Sequence, residues 1–205
     1  MKKIGIIVFV LILFITGCSF KDLFVKENKK EELLSGKILA QIDVKDYGII
    51  KLELDADNAP ITVTNFVNLV KDKFYDGLTF HRIMEGFMIQ GGDPNHNGSG
   101  GSEKTIKGEF SSNGVENNIS HVRGIISMAR NSSDMNSASS QFFIVQKDST
   151  FLDGEYASFG KVIEGIEIVD KIATDISPLA TDTNGTIPFE NQPLINSITI
   201  VTNNE

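Results

Sequence analysis

The chain has 205 residues, a formal net charge of −8 and 40% hydrophobic residues. That length suits one domain or two small ones, and the composition is that of a globular chain rather than a disordered one. The acidic balance lacks the basic stripe that a nucleic-acid binder needs, so no nucleic-acid partner is expected.

Lys2 and Lys3 precede Ile4 to Thr16, an almost unbroken apolar run of 13 residues. Such a run fits the h-region of an export signal and falls short of the ~20 residues that span a bilayer as a helix. It ends in Ile15-Thr16-Gly17-Cys18, and Cys18 is the only cysteine. These residues resemble a bacterial lipobox, in which the cysteine receives diacylglycerol and becomes the new N-terminus. The resemblance implies a signal peptide over 1–17, lipidation of Cys18, and a chain anchored at the cell membrane on its extracytoplasmic face. An uncleaved N-terminal anchor is the alternative. Residues 18–36 then read as the lipidated N-terminus and a charged tether, and 37–205 as the folded domain.

From Ile38 the pattern alternates. "KILAQIDV" and "GIIKLELD" flank Lys45-Asp46-Tyr47-Gly48 and predict a hairpin. Pro60 opens a helix running toward Gly77, with Val63, Phe66, Val67 and Val70 on one stripe. Strands are expected at Thr79–Met84 and Phe87–Gln90, then a Gly-, Asn- and Ser-rich loop from Gly91 to about Gly114. Further strands are expected at Gly124–Ala129, Ser140–Gln146, Ala157–Val162 and Ile195–Thr202, with a second helix over Ile166–Ala173. Thr174 to Pro193 carries three of the five prolines and reads as loop. Many strands, two helices and no βαβ rhythm indicate an all-β sandwich or barrel.

The common catalytic signatures are missing. "GSGGSEKT" has Glu103 where a phosphate loop needs glycine, and no glycine triplet opens a helix. His81, His96 and His121 lack metal-ligand spacing, and no serine sits in a nucleophile elbow. Neither metal nor cofactor is expected. Strand alternation does place Met88 with Gln90 on one face, and Gln141 with Phe143 on another. Two strands therefore each set a glutamine beside a large apolar side chain, while Arg82 sits among apolar residues. Edge polar residues flanking a core would produce the same pattern.

"FHRIMEGFMIQGGD", "GIISMAR", "SASSQFFIV" and "FLDGEYASFGKV" resemble the cyclophilins in order and spacing, from about Ile38 to Thr202. The resemblance implies a closed eight-stranded antiparallel β-barrel capped by two helices, and peptidyl-prolyl cis-trans isomerase activity. By the same resemblance Arg82 and Gln90 are catalytic, while Phe87, Met88, Phe143 and Leu152 form the proline pocket. Gln141 lies beside the substrate backbone, and Ala129 and Arg130 belong to the strand that pairs with it. Phe151 stands where the family often has tryptophan, and Tyr156 where eukaryotic members have histidine. Glu85 replaces a proline common in the first motif, and the loop between Ala129 and Ser140 is slightly longer than in the family. The expected partners are proline-containing segments of exported proteins, met by a monomer that binds cyclosporin weakly. A peptide-binding module or holding chaperone on the same fold is the alternative class, separable by turnover of an X–Pro peptide.

Overall fold

The computed structural model describes residues 32–201. The expected signal peptide, Cys18 and most of the tether lie outside the described residues. The last tether residues lie on the domain: the Leu34 amide donates to Thr64 Oγ1 at 2.9 Å and the Gly36 amide to Asp57 Oδ1 at 2.7 Å.

The hairpin pairs β1 (Lys37–Val44) with β2 (Gly48–Asp55), in register from Lys37↔Asp55 to Val44↔Gly48. Its tight turn needs Asp46 at φ 65° and Gly48 at φ 119°, conformations that Asp tolerates and Gly adopts freely. Alternation then buries Ala40, Ile42 and Val44 from one strand with Ile50, Leu52 and Leu54 from the other.

Helix α1 (Pro60–Lys71) buries Val63, Phe66, Val67 and Val70, the stripe read from the sequence. It stops six residues before Gly77 because Lys73 turns left-handed, at φ 56°. That turn sends Tyr75 into the core, where its hydroxyl donates to the Ser140 carbonyl at 3.1 Å. The α1 N-cap, Ala59, supplies no side-chain hydrogen bond. Glu109 does so from a distant loop, accepting from the Ile61 amide at 3.0 Å and the Thr62 amide at 2.8 Å. The Thr62 hydroxyl adds a third bond at 2.7 Å. Helix α2 (Ile166–Ile176) runs one turn longer than expected, since Ile176 still packs on the core.

The remaining strands are β3 (Phe80–Met84), β4 (Met88–Gly91), β5 (Ile125–Met128), β6 (Phe142–Val145), β7 (Ser158–Glu164) and β8 (Ile195–Val201). One antiparallel sheet holds all eight in the order β3-β4-β6-β5-β7-β2-β1-β8. The closed barrel expected from the family resemblance is corrected here to an open half-barrel. Its edges β3 and β8 share no ladder and meet at an isolated bridge, Thr79↔Leu194. There the Phe80 amide donates to the Pro193 carbonyl at 3.0 Å and the Ile195 amide to the Leu78 carbonyl at 2.8 Å, and the Gly77 amide donates to the Ile195 carbonyl at 2.9 Å. The outer edge of β3 is taken instead by a turn. Ile83 donates to the Gly185 carbonyl at 2.8 Å, Ile187 donates to the His81 carbonyl at 3.0 Å, and Arg82 bridges Thr186. Pro193, with no N–H to give, interrupts pairing just before β8.

Period two splits β4 and β6 between two cores. Ile89, Phe142 and Ile144 join the large core, where Phe66, Tyr75 and Phe80 meet Phe142 edge-on at 5.6–6.0 Å. Met88, Phe143 and Val145 point the other way and form a smaller cluster with Ile125 and Leu152. The functional site is built on that second face.

Candidate functional site

On the second face, pairing sets Arg82 opposite Gln90, and Gln90 opposite Phe143. A cation, an amide and an apolar ring thus lie in one row across three strands. The next row is Met84, Met88 and Val145. The pairing of β4 with β6 brings together the two glutamine-bearing strands noted in the sequence, though 51 residues separate Gln90 from Gln141.

The polar groups form a directed chain. Arg82 Nη1 donates to Gln90 Oε1 at 3.1 Å, and Gln90 Nε2 donates to Gln141 Oε1 at 2.9 Å. Gln141 Nε2 ends on the carbonyls of Gly100 at 2.7 Å and Gly98 at 3.1 Å. Each amide orientation is therefore dictated by its neighbour. Arg82 is held from behind as well, with Nε donating to the Asn184 carbonyl at 2.7 Å and its guanidinium 5.8 Å from the Phe87 ring centre. Burial lowers its pKa below the ordinary arginine value, partly offset by Tyr156 and Asp182. An arginine so placed still carries its charge at any working pH.

Apolar side chains complete a cleft of about 380 Å³ in which Arg82, Phe87, Met88 and Gln90 meet Ala129, Arg130, Phe143, Leu152 and Tyr156. Its volume is that of a small-ligand site. Phe143 is fixed from both sides: Tyr156 meets it edge-on at 6.0 Å, and His121 stacks on it at 6.0 Å. His121 is buried and anchored, its Nδ1 2.8 Å from Asp153 and its Nε2 3.0 Å from the Ser127 hydroxyl. Burial pushes the His121 pKa down, partly offset by Asp153, so the contact at neutral pH is a hydrogen bond of a neutral ring rather than an ion pair.

Two expected site residues fall outside this cleft. Gln141 lines an adjoining polar cleft, also about 380 Å³, which shares Gln90, Ala129 and Arg130 with the first. Phe151 stands on the rim, 72% exposed, with its ring 5.7 Å from that of Phe87.

Four cleft residues were not foreseen: His81, Asn97, Gly98 and Thr186. Strict alternation turns His81 away from the Arg82 face. The β3–β4 register instead shifts between Phe80 and Arg82, and such a bulge re-aims the side chain it carries. Burial drops the His81 pKa to about 4, so the ring adds no second positive charge beside Arg82. Asn97 and Gly98 arrive on a loop wound around buried Asp93, which accepts from the amides of Asn95, Asn97 and Gly98 at 2.5–3.0 Å. Gly92 starts that loop at φ 83°, where a Cβ would also stand 2.6 Å from the Ser140 carbonyl oxygen. No larger residue fits there.

Comparison with known proteins points the same way. A family model described as cyclophilin type peptidyl-prolyl cis-trans isomerase/CLD matches residues 39–203. Peptidyl-prolyl cis-trans isomerase A of Dickeya dadantii is 42% identical over 155 residues, covering 71% of this chain and 74% of that protein. A Helicobacter pylori peptidyl-prolyl cis-trans isomerase is 44% identical over 145 residues, covering 70% of this chain and 85% of that protein. Among solved structures, a Cryptosporidium parvum cyclophilin type peptidyl-prolyl cis-trans isomerase superposes with a TM-score of 0.71 at 31% identity, over 82% of this chain and 99% of that one.

Proposed function

The chain belongs to the cyclophilin-type peptidyl-prolyl cis-trans isomerases, and we propose that it applies this activity to exported proteins while lipid on Cys18 holds it at the outer face of the cell membrane. An X–Pro amide rotates over a barrier of ~18–20 kcal/mol, because rotation breaks C–N conjugation. No covalent bond is made or broken, so the reaction requires neither a nucleophile nor a metal. At the twisted transition state the lone pair localises on nitrogen, which becomes a better acceptor. A guanidinium donating to that nitrogen stabilises mainly the transition state, which is the condition for raising kcat.

Arg82 is assigned that role. The observation that supports it is a charged group fixed at two atoms, by Gln90 and Asn184, on the wall of an apolar cleft. Met88, Phe143 and Leu152 grip the proline ring while the preceding carbonyl turns. Gln90 steadies that carbonyl, and the Ala129–Arg130 edge holds the peptide. Turnover of an X–Pro peptide by wild type, set beside Arg82→Ala, tests the assignment.

The export context rests on Lys2-Lys3, the apolar run Ile4 to Thr16, and Cys18. A single acyl chain binds membranes only marginally and two bind stably, at ~0.8 kcal/mol per buried CH₂. Cells fed a labelled fatty acid should label the wild-type protein and recover it with membranes. The Cys18→Ala variant should carry no label, and equal labelling of the two would reject the lipoprotein assignment.

The Phe151 position leads to a second expectation, concerning cyclosporin. Phenylalanine keeps an aromatic wall at the rim but has no N–H to donate. A lost hydrogen bond typically costs ~0.5–1.5 kcal/mol, rising to ~3 when the partner acceptor is left buried. Inhibition should therefore be weak, and Phe151→Trp should tighten it between about twofold and a hundredfold. Turnover of a small proline peptide should change little. An inhibition titration of both proteins decides this, and equal inhibition constants would show that the missing donor does not set sensitivity.

A further inference from the structure

Arg130 forms the ridge between the proline cleft and its polar neighbour, lining both. Its side chain is only 7% exposed. The guanidinium carbon lies 5.2 Å from the centre of the Phe110 ring and 4.9 Å from that of Tyr156. Nε donates to the Glu155 carbonyl at 2.9 Å, and Nη2 to the Glu155 carboxylate at 3.2 Å. Nη1 donates to the carbonyls of Asn131 at 3.0 Å and Ser132 at 3.2 Å. These bonds take four of the five guanidinium N–H groups, and aromatic rings take the π face. A cation satisfied so fully by its own chain has little left to offer a peptide.

We infer that the Arg130 side chain is a positioning residue: it acts on the proline peptide through Tyr156, holding that ring against Phe143 at the apolar wall. The inference rests on the isomerase reading of this cleft. Tyr156 is the only aromatic cleft residue among the described residues that meets both Arg130 and Phe143, so displacement of the guanidinium reaches the wall through it. The planar shape of the cation is required. A lysine ammonium keeps the charge but cannot lie flat against the ring while its donors span Glu155 and residues 131–132.

The test compares Arg130→Lys, Tyr156→Leu and the double variant in the whole protein, using KM and kcat for an X–Pro peptide. Loosening a wall that binds ground and transition states alike raises KM and spares kcat. Arg130→Lys should raise KM by about 2- to 30-fold, the span between an exposed and a desolvated cation–π contact. If the effect runs through Tyr156, the double variant should be no worse than Tyr156→Leu alone. A mere staple between loops would instead give KM effects that multiply, which would overturn the inference. NMR of the ring protons gives a readout independent of turnover: the Tyr156 and Phe143 signals should move in folded Arg130→Lys, and unmoved signals would also overturn it. Should Arg130→Lys fail to fold, Glu155→Ala loosens the same guanidinium from a half-exposed position. It should then show a smaller KM rise that disappears in the Tyr156→Leu background, and persistence of the rise there would count against the role. A wild type without turnover would sink the isomerase reading, and the ring signals would still decide what Arg130 does.

Discussion

Arg82→Ala is expected to lower kcat/KM for an X–Pro peptide by ~10²–10³, the loss seen when a preorganised transition-state donor is removed. The size follows from how the guanidinium is held. Asn184 and Gln90 fix it at Nε and Nη1, so it needs no reorganisation when the proline nitrogen pyramidalises. Arg82→Lys should recover only a small part of the activity, because an ammonium cannot make both anchoring bonds and still face the cleft. The fold should survive either change. Arg82 is half-buried on a cleft open to water, and Gln90, which loses a donor, keeps its bond to Gln141. A folded Arg82→Ala protein with near-normal turnover, checked by its thermal melt, would reject the mechanism.

Glu109→Ala should be the most destabilising single change outside the apolar core. The carboxylate is 1% exposed and accepts three bonds from the first turn of α1, which has no side-chain cap of its own. Removing it leaves two amides and a hydroxyl unpaired at a buried helix end. Cap losses run to ~2 kcal/mol, and unsatisfied buried donors add to that, so ~2–4 kcal/mol is expected. For a domain of this size that is a fall in Tm of roughly 5–15 °C. Glu109→Gln keeps one acceptor oxygen and should fall by less than half as much. The change should also reach the site, because Phe110 follows Glu109 and its ring centre lies 5.2 Å from the Arg130 guanidinium carbon. A Tm within about 2 °C of wild type would show that water replaces the carboxylate at no cost.

Some of the site was legible in the sequence. Met88 with Gln90, and Gln141 with Phe143, do share faces, because side chains alternate along any strand. Four collinear motifs then identified the family. His81 was not legible, because a bulge breaks the alternation that would have assigned it to the other face. Thr186 was not legible either. It comes from a turn about a hundred residues after Arg82 and reaches the site only because that turn occupies the edge of β3. Family resemblance set Gln141 beside the substrate backbone and Phe151 at the position where the family often has tryptophan. The structure sets one in the adjoining cleft, where Gly98 and Gly100 hold its amide, and the other on the exposed rim.

The sequence by itself determined what depends on near neighbours: the β1–β2 hairpin, the buried stripe of α1, and the two-faced strands β4 and β6. Alternation, helical periodicity and turn conformation all act within a few residues, so the order of residues carries them. Only the tertiary structure decided which strands lie side by side, where α1 ends, and which carboxylate caps it. It also decided that the sheet stays open between β3 and β8, and that Arg130 turns inward to Tyr156. Those outcomes depend on contacts between residues tens to more than a hundred positions apart, where burial and hydrogen-bond satisfaction over the whole fold select one arrangement from many that the local pattern allows equally.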